Sequence, residues 1–206
     1  MANQPPSREL QARFGDIDVY LFDQLLRGRF DGRRRLLDAG CGSGRNLPYF
    51  LSRGYEVFAI DEDPAAVAAV KKLAGELAPS LPHDNIRQGA LHVLPWPDGR
   101  MEAVVCSAVL HFARDRVHFD RMLDEMWRVL ARGGLFFARL ASSIGIEQLL
   151  PETTGRLRLP DGSDRFVVDE RLLLDAGYER GATLLDPIKT TNVQNQRCMT
   201  TWVLQK

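Results

Sequence analysis

The sequence predicts a doubly wound α/β fold, a mainly parallel sheet with helices on both faces. Three observations point to it. Short apolar runs alternate with amphipathic helical segments from residue 35 to about residue 140. A glycine-rich loop follows the first of those runs directly. Two extended runs near the C-terminus are joined by only three residues, so they must be antiparallel.

The elements follow in order. Residues 1–8 read as a frayed tail, and residues 9–27 carry Leu10, Phe14, Ile17, Tyr20, Leu21, Leu25 and Leu26 at helical spacing. Arg27 to Arg35 is a basic, glycine-punctuated connector that reads as a solvated loop, with a phosphate-binding patch as the sharper alternative. Leu36-Leu37 leads a strand into the glycine loop, and a helix follows to about Arg53. Glu56–Ile60 is a second strand, Pro64–Leu77 a second helix, and Asn85–Gln88 a short third strand. Ala103–Cys106 is apolar enough for a central strand covered on both faces. Residues 117–131 place Phe119, Met122, Leu123, Met126, Val129 and Leu130 on one stripe, and Gly133-Gly134 is expected to stop that helix before a fifth strand at Leu135–Ala138. Beyond it come a turn sequence at residues 159–163, a helix over Asp169–Ala176 closed by Gly177, and strands over Thr183–Val193 and Arg197–Leu204.

Composition narrows the function classes. The 206 residues carry 27 basic and 27 acidic side chains, with 45% hydrophobic and 26% charged residues, so wholesale disorder is excluded. Zero net charge leaves no global field to capture nucleic acid or anionic lipid. Cys41, Cys106 and Cys198 form no CxxC pair, which disfavours a disulfide framework or metal site and fits reduced thiols in a cytoplasmic protein. Neither a signal peptide nor a membrane-spanning run is expected.

The glycine loop carries the chemistry. Asp38-Ala39-Gly40-Cys41-Gly42-Ser43-Gly44 places three glycines at alternating positions after a buried strand, where a ligand can approach the backbone. A dinucleotide loop would read GxGxxG, but Arg45 stands three residues after Gly42. Asp38 would repel a pyrophosphate and suits a ligand with an ammonium group. Asp61 ends the second strand seventeen residues after Gly44, where a carboxylate can accept both hydroxyls of an adenosine ribose. Asp63 or Glu62 is placed to cap the next helix.

These residues resemble the class I S-adenosylmethionine-dependent methyltransferases over residues 33–206. The glycine loop is similar to the family's first motif, and Asp61 to its ribose-binding acid. Leu94-Pro95-Trp96-Pro97-Asp98-Gly99 resembles its LPFPDG segment, Val105–Phe112 its fourth-strand motif, and Arg128–Gly134 its RVLKPGG turn. The resemblance implies a Rossmann-like seven-stranded sheet, ordered 3-2-1-4-5-7-6 with strand 7 antiparallel. It makes residues 1–32 a tail and lid helix on a single domain of residues 33–206. It implies S-adenosylmethionine as cofactor, S-adenosylhomocysteine as product, and cofactor contacts from Asp38, Gly40, Cys41, Gly42, Gly44, Asp61, Glu62, Ala90, Leu91 and Ser107. One departure stands out: the family's adenine-binding acid after strand 3 is replaced by Ala90 and Leu91.

The resemblance implies in-line methyl transfer, which needs placement and water exclusion more than acid–base help. His111 is the candidate general base, with packing beside the cofactor as its alternative role. Tyr20, Arg139 and Lys189 are candidate acceptor-site residues, the last two suiting an anionic substrate. No metal site is expected. A small-molecule acceptor is the favoured partner, because nucleic-acid motifs are absent after strand 4 and charge is balanced. The alternatives are a non-catalytic S-adenosylmethionine-binding regulatory protein and a nucleic-acid methyltransferase.

Overall fold

The computed structural model describes residues 6–206, arranged as two compact units, Met1–Leu91 and His92–Lys206. The predicted tail at residues 1–8 therefore lies partly outside the described residues; from Pro6 onward the chain is helical.

The first unit holds helices α1 (Pro6–Phe14), α2 (Val19–Leu26), α3 (Pro48–Ser52) and α4 (Pro64–Leu77), with strands β1 (Arg35–Ala39), β2 (Glu56–Asp61) and β3 (Ile86–Gln88). Its strands run in the order β3-β2-β1, all parallel. The helix expected over residues 9–27 is broken in two. Gly15 adopts φ +62°, and a Cβ there would lie 2.8 Å from Pro48 Cγ. Asp18 then restarts the chain, its carboxylate accepting from Tyr20 N at 3.0 Å as the cap of α2. The pieces are held in the unit by Phe14, which stacks on Tyr49 with ring centroids 5.3 Å apart. Helix α4 begins at Pro64 because Asp63 caps it, Oδ1 accepting from Ala65 N at 2.8 Å.

The second unit holds β4 (Met101–Ser107), α5 (Arg116–Val129), β5 (Leu130–Ser142), β6 (Gly155–Arg158), β7 (Asp164–Val167), α6 (Glu170–Glu179), β8 (Thr183–Leu184), β9 (Lys189–Val193) and β10 (Arg197–Gln205). Strand β4 is parallel to β5, and β10 runs antiparallel to β5, β8 and β9. Read end to end, the strand order is β3-β2-β1-β4-β5-β10-β8, the predicted topology with its antiparallel seventh strand. A core of Phe136 between Trp127 and Trp202 fixes α5 and β10 on β5.

Three local expectations in this unit are corrected. Helix α5 ends at Val129, and Gly133-Gly134 lies inside the stretch assigned to β5. Gly133 turns there with φ +73°, and a Cβ on Gly134 would lie 2.7 Å from Ala131 O, so the bend tolerates no side chain. The strand expected over Thr183–Val193 splits into β8 and β9 around Leu185-Asp186-Pro187-Ile188, where Pro187 has no N–H for a ladder. Gly177 lies within α6, not after it, and a Cβ there would make ordinary contact with Trp202 Cζ2 at 3.6 Å. Residues 155–167 form the β6–β7 hairpin around the predicted turn, anchored by Phe166 stacking on Phe119 of α5 at 5.1 Å.

Among the described residues, no helix is long and apolar enough to cross a membrane. Cys41, Cys106 and Cys198 are buried thiols outside any disulfide.

Candidate functional site

In the first unit, the chain leaves β1 at Ala39 and turns at once. Gly40 N and Cys41 N both donate to Ile60 O, at 2.9 and 3.1 Å, which brings the loop against the end of β2. Gly42 N donates to Asp61 Oδ2 at 2.8 Å, while Oδ1 accepts from Asp63 N at 3.0 Å. Gly40, Gly42 and Gly44 all have positive φ. Their reasons differ: a Cβ on Gly44 would press on Val70 Cγ2 at 3.0 Å and Leu73 Cδ2 at 3.2 Å, whereas one on Gly42 would meet nothing within 4 Å. Gly44 serves packing. Gly42 borders open space.

Asp38 is the electrostatic anomaly. It is 1% exposed, and its Oδ2 has no hydrogen-bond partner among the described residues. Burial pushes its pKa up to about 7, against the pull of Arg45 and with a further push from Asp61. The same burial and the same two carboxylates push the Cys41 thiol up, so it is an inert wall and no nucleophile. On the far side of the loop, Asn46 Oδ1 accepts from Asp18 N at 2.9 Å, and Arg45 lies 3.4 Å from Asp18. The start of α2 is thereby tied to the loop, with Tyr20 half-buried in its first turn.

Past β3, Gly89 N donates to Asp61 O at 2.9 Å, which places Ala90 half-buried and Leu91 buried just beyond. Glu62 is exposed, and its backbone carbonyl accepts from Gln88 Nε2 at 3.1 Å. The structure thus brings Asp38, Gly40, Cys41, Gly42, Gly44 and Asp61 into one loop-and-strand-end cluster, with Glu62 on its solvent side.

In the second unit, strand register gathers the other candidates. Ser107 pairs with Arg139, Arg139 with Thr201, and Thr201 with Lys189. Opposed residues project from the same face, so these four form a row across β4, β5, β10 and β9. Thr201, in the middle, is buried, and its hydroxyl has no partner among the described residues. Sequence reading missed Thr201, because only the register reveals what it stands between. It also missed Ala108, which follows Ser107 with φ +64°, a strained conformation for a residue with a Cβ, held by its N–H donating to Arg139 O at 2.7 Å. His111 lies in the following 3-10 turn, Leu110–Phe112, 5% exposed, with Nδ1 accepting from Ala141 N at 3.3 Å.

A second tie joins two of the sequence motifs. Arg128 of α5 hydrogen-bonds Glu125, Asp98 and the carbonyls of Leu94 and Trp96, all at 2.8–3.0 Å, and Glu125 accepts in turn from Leu94 N. One guanidinium therefore fastens the Leu94–Gly99 segment to the helix.

Comparison with known proteins agrees with this geometry. Residues 37–138 match the family model described as a methyltransferase domain. A protein of Mycobacterium tuberculosis named "Probable S-adenosylmethionine-dependent methyltransferase" is 30% identical over 179 residues, 79% of this chain and 57% of its own length. The chain spans about half the length of the curated relatives it matches, from 39% to 57% for the Mycolicibacterium smegmatis and Mycobacterium tuberculosis proteins. Among solved structures, the 4+2 cyclase SpnF superposes with a TM-score of 0.69 at 20% identity, covering 91% of this chain and 80% of that one. The Burkholderia thailandensis 1,6-didemethyltoxoflavin-N1-methyltransferase, solved with 1,6-didemethyltoxoflavin and S-adenosylhomocysteine, superposes with a TM-score of 0.65 at 19% identity, covering 97% and 86%. At these identities the superpositions establish the fold alone. Fold, motif order and sequence match together place this chain in the class I S-adenosylmethionine-dependent methyltransferase family.

Proposed function

We propose that the protein transfers the methyl group of S-adenosylmethionine to a small-molecule acceptor. The observation that carries the cofactor half is the buried, unpartnered Asp38 carboxylate beside the open flank of Gly42 and the Asp61 strand end. A sealed carboxylate without a partner is costly unless a cation meets it, and the cofactor's methionyl end carries an ammonium. Asp61 would accept the ribose hydroxyls, exchanging or sharing its bond from Gly42 N. The backbone of Ala90 and the side chain of Leu91 would meet the adenine where the family's acid is missing. Cys41 would add a steric wall beside the loop. When bound, S-adenosylmethionine supplies a methyl group already activated by a sulfonium charge. The protein's share is to orient and to exclude water.

For the acceptor, the row Ser107–Arg139–Thr201–Lys189 supports a compact polar substrate. The Burkholderia structural neighbour, a methyltransferase solved with bound 1,6-didemethyltoxoflavin, supports the same class. Tyr20, at the start of α2 and tied to the glycine loop through Asp18, fits a closing lid.

Incubating the protein with labelled S-adenosylmethionine and fractionated metabolites is the test. Label entering low-molecular-weight products supports the reading. Label entering only RNA or DNA moves it to the nucleic-acid alternative, and cofactor binding with no transfer to any pool moves it to a regulatory one.

A further inference from the structure

Strand β4 ends at Ser107, and beyond Arg139 the facing edge of β5 is met by the bridge Ser142–Val168, in which Val168 N donates to Ala141 O and leaves Ala141 N unmatched. Ala141 N would be orphaned there, and His111 Nδ1 accepts from it instead. That bond assigns the tautomer: the Nδ1 lone pair is occupied, and the proton sits on Nε2. Nε2 makes no hydrogen bond to the described residues. Its N–H is therefore an uncommitted donor on a residue that is 5% exposed. Burial, with Arg165 and Arg197 adding repulsion, lowers the ring's pKa to about 4, so it is neutral at pH 7. A general base needs a free lone pair. His111 offers a donor, which corrects the base role expected from sequence.

Its surroundings are cationic. The Arg165 guanidinium lies 5.0 Å from the Phe112 ring centroid, and that ring is 4.6 Å from His111. Arg197 opens β10 two residues before Met199, the partner of Ala141. Against them stands Asp161, 3.6 Å from Arg197 and also within electrostatic reach of Arg165. Asp161 already accepts from Ser163 N and Oγ, at 2.9 and 2.6 Å. Two cations and a neutral donor against one committed carboxylate leave a net positive recognition surface.

We infer that His111, Arg165 and Arg197 bind an anionic oxygen group on the methyl acceptor, selecting a carboxylate-bearing substrate over its neutral amide. This rests on the methyl-transfer reading. His111 donates through Nε2, and the arginines supply the charge that a neutral analogue cannot use.

The test uses the full chain saturated with S-adenosylhomocysteine, with benzoate and benzamide as isosteric probes followed by calorimetry and by the imidazole nitrogen resonances. Benzoate should bind at least about tenfold more tightly than benzamide, and its addition should shift Nε2 of His111 while Nδ1 stays hydrogen-bonded. Arg165→Met and Arg197→Met should each reduce the preference several-fold, and His111→Phe should remove the donor contribution. His111→Gln, whose amide can accept from Ala141 N and still donate, should restore it. Equal affinity for the two probes, or a preference unchanged in both arginine variants, overturns the inference. Homocysteine-cofactor binding in each variant reports the fold, and its absence from the wild type would sink the methyl-transfer reading separately.

Discussion

Gly42 N donates to Asp61 Oδ2 across 2.8 Å, joining the glycine loop after β1 to the acid that ends β2. One carboxylate therefore both braces the loop and stands ready for a ligand. Asp61→Ala should weaken S-adenosylhomocysteine binding by about 1–3 kcal/mol, the scale of lost charge-assisted hydrogen bonds. Asp61→Asn should fall between the two. Titration calorimetry on protein with an unchanged melting temperature would check this; unaltered affinity would take Asp61 out of the site.

Gly42 and Gly44 should separate ligand approach from packing. Gly44→Ala forces a Cβ at φ +83° against Val70 and Leu73 and should cost about 2 kcal/mol of stability. Gly42→Ala meets no neighbour and should cost only about 1 kcal/mol, from its φ of +51°. The order reverses for cofactor binding, which Gly42→Ala should impair more. Urea unfolding paired with calorimetry gives both numbers, and the same rank order in both assays would contradict the assignment.

Asp38 makes cofactor affinity depend on pH. Its folded pKa is raised to about 7 from 3.8, so the unfolded chain releases this proton first and stability declines as pH rises from about 4 to 7. An ammonium ligand favours the ionised form. Affinity should therefore climb by up to about tenfold per pH unit below 7 and level off above it, with proton release on binding only below 7. Asp38→Asn should flatten the profile and remove the proton release measured in buffers of different ionisation heat.

His111 contributes the opposite slope. Its folded pKa of about 4 lies below the ordinary 6.5, so the unfolded state takes up the proton first as pH falls. Stability should drop by roughly 3 kcal/mol between pH 6.5 and 4 on this account. His111→Gln should lose that slope while keeping the bond to Ala141 N, as equilibrium unfolding across the pH range would reveal.

Arg128 should be the costliest surface-proximal truncation. Arg128→Met strands Glu125 and frees the carbonyls of Leu94 and Trp96, a predicted loss of about 2–4 kcal/mol in urea unfolding. A change below 0.5 kcal/mol would mean the segment is held by Trp96 burial alone.

What was legible in the sequence was whatever short-range chemistry decides. Pro64–Leu77 is helical as read, because Pro64 follows a capping Asp63 and the apolar positions are periodic. The placement of the glycine loop beside Asp61 was legible because it depends on order and spacing along two adjacent strands. The β6–β7 hairpin was not, since four-residue strands have little periodicity and this pair is anchored by Phe166 on Phe119, a contact 47 residues away in sequence. The donor role of His111 was hidden for a similar reason: it follows from β4 ending one pair too early for Ala141 N. Arg128 could be read as part of a motif, but its link to the Leu94–Gly99 segment appears only in three dimensions.

The central claim is that the loop at Gly40–Gly44 with Asp38 and Asp61 is a site for S-adenosylmethionine. Calorimetric titration of the intact protein with S-adenosylhomocysteine, and separately with NADH, tests it most directly. Saturable one-to-one binding of S-adenosylhomocysteine at pH 7.5, with none of NADH, is the result predicted. Tight NADH binding, or no S-adenosylhomocysteine binding by folded protein, would contradict it.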